Sequence, residues 1–247
     1  MFAFEIWGKF ASFRDPLTIS QNITLPMPPK TTVAGMMASI LGIEEYFTDE
    51  AFGTFKYSIV TLESIRKKSF SQNYINDYTS NVQTHLNSIK KADYEKIGSG
   101  LRDSKNPQKP INRELLLNPK YLVFINNFLY EEKITTYLKE KVSKFPFYLG
   151  NSEFAGNFRY REIQEINEHF AKKARVDSFV LESDLDSVSF TEGVRYSKLS
   201  FATVLDSYRT PTAFSSVIIG SDAISVNNLT IQSITLDNNS VYHCRFL

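Results

Sequence analysis

The sequence predicts an α+β protein: a ferredoxin-like (RRM-like) βαββαβ sandwich over residues 1–165, followed by a smaller β-rich region over residues 166–247. Three observations predict this fold. The chain opens on a strand with alternating apolar residues, the clearest helical periodicity comes next, and a strand–helix–strand order returns after a long insertion. A chain of 247 residues that is 42% hydrophobic can bury a core of this size.

The first half of the predicted sandwich ends in a helix. Alternating apolar side chains predict a strand over 2–7, and an irregular stretch that closes on prolines follows it. Over 32–41, apolar residues at i, i+3, i+4, i+7 and i+8 predict a helix. Thr31 or Thr32 is expected to cap its start, and Gly42 stands where a left-handed residue would end it.

The second half contains a long insertion. Strands are predicted over 55–62, 121–125 and 152–163, with a helix over 131–143 before the last of them. Residues 71–114 interrupt this order and have no periodic apolar face. Segments of this length are usually functional loops or are partly disordered, so we expect an arm that is mobile in the isolated protein.

The remaining chain reads as mostly β structure. A short helical stretch is expected around His169, followed by strands. The apolar alternation changes phase between Ile231 and Ile234, which predicts a bulge there. A turn over 237–240 then leads into a closing strand.

The distribution of charge along the chain favours a polyanionic partner, whereas the net charge of the whole chain does not. The net charge is +1, but residues 1–55 carry −3, residues 56–113 carry +6 and residues 114–247 carry −2. The positive charge is therefore concentrated in one middle segment, which overlaps the insertion.

Composition and motifs exclude several classes of function. The single cysteine, Cys244, excludes a disulfide framework and a cysteine-based zinc site, and the three histidines are too scattered to predict a metal cluster. No cofactor is expected. The chain lacks the G-x-x-x-x-G-K-[ST] loop of nucleotide triphosphatases and the G-x-S-x-G motif of serine hydrolases. It has no signal peptide and no run long enough to span a bilayer, so we expect a soluble, cytoplasmic protein with no membrane partner.

Two short segments near the start could bind RNA. Lys9, Phe10, Phe13 and Arg14 interleave cations with aromatic rings, as clamping phosphates and stacking on unpaired bases require; the alternative is that the phenylalanines return to the core. The segment 30–32 places Lys30, Thr31 and Thr32 at a helix start, where free N–H groups favour an anion; the alternative is an ordinary capped helix.

The strand before the insertion and the insertion itself supply a third group of candidate RNA-binding residues. These are Arg66, Lys67, Lys68, Lys90, Lys91, Arg102 and Arg113. Tyrosines lie between them, and a basic, tyrosine-bearing arm suits a polyanion. The alternative is a solvated charged loop.

Catalysis has few candidates in this sequence. Metal-independent RNA cleavage needs a general base and acid with pKa values near neutral, and His85 in the basic arm is the attractive one. A metal-independent endoribonuclease that uses His85 or a Tyr/Lys pair is therefore the alternative to a binding protein.

Three segments carry the motifs of a known family. Residues 4–14 (FEIWGKFASFR) join a strand to a glycine, aromatic residues and an arginine, and residues 25–42 join prolines and threonines to a helix that ends in Leu-Gly. Residues 145–154 (FPFYLGNSEF) form a third match. Together they resemble the Cas-five family of CRISPR-associated proteins, which belongs to the RAMP superfamily and occurs in type I Cascade complexes. The second segment is most similar to the type I-B branch.

The resemblance implies a non-catalytic subunit. It would hold the 5′ handle of the guide RNA (crRNA) at one end of Cascade, with the insertion as a thumb, and would contact the backbone and large subunits. Target DNA near the protospacer-adjacent motif (PAM) is a further partner that the resemblance suggests. One branch of the family cuts precursor RNA with a Tyr, Lys and His set, but this sequence has no Lys-His neighbour pair and no tyrosine over 23–29.

Overall fold

The structure is a computed structural model, and it describes residues 1–18, 21–75, 82–95 and 108–247. In this part of the chain the strands are β1 Phe2–Gly8, β2 Phe10–Ala11, β3 Phe13–Arg14, β4 Thr24–Leu25, β5 Lys56–Thr61, β6 Lys67–Ile75, β7 Gln108–Leu117, β8 Lys120–Asn126, β9 Gly156–Arg161, β10 Ile163–Val176, β11 Val180–Leu181, β12 Val188–Ser189, β13 Tyr196–Leu205, β14 Pro211–Gly220, β15 Ile224–Leu236 and β16 Val241–Cys244. The α-helices are α1 Lys30–Leu41, α2 Ala51–Thr54, α3 Val82–Lys90 and α4 Glu131–Glu140, and short 3-10 turns cover Tyr46–Thr48 and Glu182–Ser187. Within these ranges, no helix is long and apolar enough to cross a membrane.

The fold is a mixed α and β structure built on antiparallel sheets. The first sheet has the strand order β5-β8-β1-β9, and each neighbouring pair is antiparallel. On one face, Phe4 and Ile6 pack into the main core with residues of α1 and α4. The predicted strands over 2–7, 55–62 and 121–125 are confirmed, and the last predicted strand is shorter, at Gly156–Arg161.

The second face of this sheet is also covered. Ala3 and Phe124 lie in a core cluster with Ile234 and Leu236 of β15. Glu5 points to the same side and is buried, because Arg159 and Arg161 hold its carboxylate. The alternation in β1 therefore separates two buried faces rather than a buried face and a solvated one.

Helix α1 begins without a side-chain cap and ends at the predicted glycine. Its N-cap is Pro29, in an extended conformation, and no side chain caps the first turn, so the expected Thr31 or Thr32 cap is wrong. The Pro29 carbonyl accepts hydrogen bonds from the N–H groups of Thr32 and Val33 instead. Gly42 does end the helix, with a φ of 77° and its N–H bonded to the Ala38 carbonyl.

The insertion begins and ends as a β-ribbon. Strands β6 and β7 pair without interruption from Lys67 opposite Leu116 to Ile75 opposite Gln108, and β2 joins the other edge of β7. The expectation of an irregular segment is therefore wrong over 71–75 and 108–114, because backbone pairing forms the ribbon without an apolar periodicity. The rest of the insertion, apart from 82–95, lies outside the described residues.

The C-terminal region is β-rich, as expected, but two predictions in it are wrong. His169 lies in strand β10, not in a helix, because β10 pairs with β15 along its length. The pairing of β15 is regular from Ile231 to Ile234, and the irregularity lies between Ile163 and Glu165 of β10. The apolar phase of β15 changes because its two ends face different core clusters.

The two regions share packing. The ring of Phe179 lies 5.5 Å from Tyr57 of β5 and 6.1 Å from Phe201 of β13, in the main core. Tyr57 also exchanges two backbone hydrogen bonds of 3.0 Å with Leu247. The division of the chain into two regions near residue 165 stays a prediction, because shared packing does not test whether each region folds independently.

Candidate nucleic-acid interface

A three-stranded sheet forms the base of the ribbon and gathers the basic residues of two segments. Phe10 pairs with Leu117 of β7, whose N–H donates to the Arg66 carbonyl on the other side. Lys67 is likewise opposite Leu116. Because neighbouring strands lie about 4.8 Å apart, the Lys9–Phe10 segment and the Arg66–Lys68 segment are roughly 10 Å apart across β7. We call this surface, formed by residues 9–10 and 66–68, the basic sheet.

The cations of the basic sheet differ in their partners. Lys9, Arg66 and Lys68 are exposed, and none of them pairs with a carboxylate among the residues that the structure describes. The Lys67 ammonium is 2.7 Å from the Thr24 carbonyl and 3.3 Å from a Glu114 carboxylate oxygen. Three cations are therefore available for phosphates, while Lys67 also ties β6 to β4.

The two phenylalanines of the first segment have different environments. Phe10 is half-buried, with Lys9 Nζ 5.8 Å from its ring centre and the Phe154 ring 6.4 Å away. Phe13 is 1% exposed and packs on Tyr121 in the core. Arg14 is exposed and donates to the Thr18 carbonyl. Phe10 can therefore meet a base, whereas Phe13 is a core residue.

The start of α1 is embedded in the protein. Lys30 is 8% exposed, its ammonium donates to the Gly53 carbonyl at 2.7 Å, and it lies 5.0 Å from the centre of the Phe55 ring. Burial lowers the pKa of Lys30. Since the ammonium points into the molecule, the geometry favours a structural role for Lys30. Thr31 and Thr32 are half-buried and line a groove on the helix surface.

The remaining predicted residues lie along the arm. Arg113 is 6% exposed and joins Gln72 of β6 to Glu153 at distances of 2.7 and 3.0 Å, so it fixes the ribbon to the 150–154 loop. Lys90 and Lys91 are exposed at the end of α3. Arg102 lies outside the described residues, and so does the side chain of His85, whose backbone is in α3.

The three motif segments meet in space. Ser12 donates its N–H to the Leu149 carbonyl, and Phe145 donates its N–H to Ser39 of α1. Gly150 has a φ of 90°, and a Cβ there would lie 1.9 Å from the Ser12 carbonyl oxygen. This position therefore requires glycine, and residues 145–154 join the first segment to α1.

Sequence reasoning missed a groove beside α1. It has a volume of about 280 Å³ and is lined by Thr31, Thr32, Tyr46, Tyr148 and Arg209, among others. We call it the α1 groove. The turn residues around Arg209 could be recognised from the sequence, but the contact of that turn with Tyr46 joins residues that are far apart in the chain.

A comparison with a solved structure supports the kind of fold. No curated protein matches the chain. A chain of a "CRISPR RNA-guided surveillance complex" is similar over 90% of both chains, with a TM-score of 0.55 and 11% identity. A CRISPR protein from Archaeoglobus fulgidus is similar over 99% of both chains, with a TM-score of 0.47 and 15% identity.

The sequence itself matches a family over most of its length. The family described as CRISPR-associated protein (Cas_Cas5) matches residues 1–219. This match confirms the resemblance that the three motif segments predict, while assignment to the type I-B branch stays a prediction. The chain belongs to the CRISPR-associated Cas5 family.

Proposed function

We propose that the protein is a non-catalytic, RNA-binding subunit of a CRISPR effector complex, and that it holds the 5′ handle of the guide RNA. The observation that carries this proposal is the basic sheet. Lys9, Arg66 and Lys68 present charges without carboxylate partners among the described residues, and the half-buried Phe10 ring lies beside Lys9, with Lys9 Nζ 5.8 Å from its centre. Family membership agrees with this role.

The chemistry of the basic sheet suits a single-stranded RNA. Lysine and arginine neutralise phosphates regardless of the bases, and the half-buried Phe10 ring offers a stacking surface. The order β5-β8-β1-β9, with α1 and α4 on one face, supports a ferredoxin-like arrangement that places β2 directly after a central strand. The basic sheet would then bind the sugar-phosphate backbone of the RNA, and other groups of the complex would recognise the bases.

The partners follow from the same proposal. The ribbon of β6 and β7 would serve as the thumb that meets the backbone subunit, and the large subunit would contact the same end of the complex. Target DNA near the PAM is a further proposed partner. The type I-B assignment belongs to this proposal as well.

The salt dependence of RNA binding tests the basic sheet. A variant with Lys9→Ala, Arg66→Ala and Lys68→Ala should lower the slope of log affinity against log salt by about 2, because each lost phosphate contact on a single strand removes about 0.7. Lys172→Ala, on the exposed face of β10, is the control and should leave the slope unchanged. An unchanged slope in the triple variant would contradict the proposal.

The absence of catalysis has its own test. Pure protein is incubated with precursor guide RNA in EDTA, and the products are separated on a denaturing gel. We expect no site-specific cleavage. Cleavage that His85→Ala abolishes would overturn the non-catalytic assignment and support a metal-independent endoribonuclease.

A further inference from the structure

Arg209 is held over the α1 groove by its own hairpin turn. The turn joins β13 to β14, and the Asp206 carboxylate accepts hydrogen bonds from the N–H groups of Tyr208 and Thr210 at 2.9 and 2.8 Å. Arg209 itself has a φ of 62° and donates its N–H to the Asp206 carbonyl. The backbone on both sides of Arg209 is therefore fixed before any ligand binds.

The guanidinium of Arg209 lies over two aromatic rings and has no counter-ion among the residues that the structure describes. It lies 5.0 Å from the ring centre of Phe47 and 5.8 Å from that of Tyr46. In the described part of the chain, Arg209 forms no ion pair. Stacking covers the flat faces of a guanidinium and leaves the N–H groups at its edge free, which is the geometry that binds phosphate oxygens.

Two tyrosines complete the groove. Tyr46, Tyr148 and Arg209 all line it, and Arg209 lies 5.8 Å from the centre of the Tyr46 ring. Burial raises the pKa of Tyr46, while the nearby Arg209 charge lowers it. A Cβ at Gly35 would come 3.1 Å from the Tyr46 hydroxyl oxygen, so the small residue lets Tyr46 lie against α1. Tyr148 is 41% exposed, and its ring is open to a ligand.

We propose that the α1 groove binds one unpaired nucleotide of an RNA strand, with its phosphate on Arg209 and its base against Tyr148. The proposal rests on the RNA-binding function proposed above and adds a second site to the basic sheet. The volume of about 280 Å³ is close to the lower end for ligand pockets, which suits a single nucleotide.

The position of the groove supports this occupant. Gly150 lines the groove and also lies against Ser12, in the segment that leads from Lys9 to Arg14. The groove is therefore joined through Gly150 and Ser12 to the segment that carries Lys9 and Phe10 of the basic sheet, so one RNA strand is expected to contact both sites. Thr31 and Thr32 add hydroxyl groups beside the phosphate position.

The test measures binding of a fluorescein-labelled, ten-nucleotide oligouridine RNA to the full chain by anisotropy at several salt concentrations. Arg209→Gln should weaken binding and lower the salt slope by about 0.7, whereas Arg209→Lys should keep the slope. Tyr148→Ala should weaken binding on the order of tenfold without a change in slope, and Tyr148→Phe should bind like the wild type. Arg195→Gln, an exposed arginine at the opposite end of the β13–β14 hairpin, is the matched control and should change neither quantity.

The outcomes distinguish the α1 groove proposal from the proposal that the protein binds RNA. If Arg209→Gln and Tyr148→Ala bind like the wild type while the triple variant of the basic sheet loses affinity, the protein binds RNA and the groove proposal is wrong. If the wild-type chain does not bind the oligonucleotide, both proposals fail. The melting temperatures of the conservative variants, Arg209→Lys and Tyr148→Phe, are compared with that of the wild type. Unchanged values are expected and would show that these groove residues can be replaced in a folded protein.

Discussion

Burial separates the cations that hold the fold from those that can meet RNA. Lys30 and Arg113 are nearly inaccessible and bond to protein oxygens, whereas Lys9, Arg66 and Lys68 are exposed without carboxylate partners among the described residues. Residue type alone predicts all five as RNA ligands. The side-chain environment therefore decides which of them a phosphate can reach.

We expect Lys30→Ala to affect stability and not RNA binding. It removes the bond to the Gly53 carbonyl and the contact with the Phe55 ring, so the free energy of unfolding should fall by about 1–3 kcal/mol. Urea unfolding measures the loss, and Lys56→Ala, an exposed lysine on β5, is the control. A lower salt slope for RNA binding in Lys30→Ala would show instead that this ammonium contacts a phosphate.

At the scale of elements, the arm over 71–114 combines the paired strands of the ribbon with helix α3, which buries little apolar side-chain surface. Leu86 and Ile89 of α3 are 44% and 52% exposed. Ordering a chain segment costs about 1–2 kcal/mol per residue in backbone entropy, and few apolar contacts offset that cost in the isolated arm. We therefore expect neighbouring subunits and RNA to order it further.

Limited proteolysis tests this expectation at α3. Trypsin should cut the isolated protein first after Lys90 and Lys91, and the assembled complex with RNA should resist cutting there, because opening of the helix end is then suppressed. Cutting after Lys133 of α4 provides the internal control, since α4 packs on the core in both states. Equal resistance at Lys90 in both states would mean that the arm is already fully folded.

At the scale of the whole molecule, the C-terminal region completes the fold of the first sheet. Ile234 and Leu236 cover its second face, and Phe179 enters the main core beside Tyr57. The chain end adds backbone hydrogen bonds to Tyr57. These contacts lead us to expect that the two regions unfold together.

Phe179→Ala tests that coupling. Removing a fully buried ring should cost about 3–5 kcal/mol, and hydrogen exchange should speed up in β5 as well as in β14. Phe190→Ala, at an exposed phenylalanine, is the matched control and should have a small effect. Faster exchange confined to the C-terminal region would indicate two independent folding units with a boundary near residue 165.

The sequence by itself determined the elements whose signal is local. The alternation over 2–7, the apolar spacing over 32–41 and the left-handed end at Gly42 predict β1 and α1 correctly, because backbone preference and one buried face suffice there. The motif segments likewise predicted the family, since they match without reference to their positions in space.

Only the tertiary structure decided the rest, because those features depend on contacts between distant parts of the chain. Strand β10 forms since β15 pairs with it, although its charged sequence suggests a helix. Lys30 turns inward because Gly53 and Phe55 lie beside it. The α1 groove exists because the turn at Arg209 reaches Tyr46, a contact that no local pattern encodes.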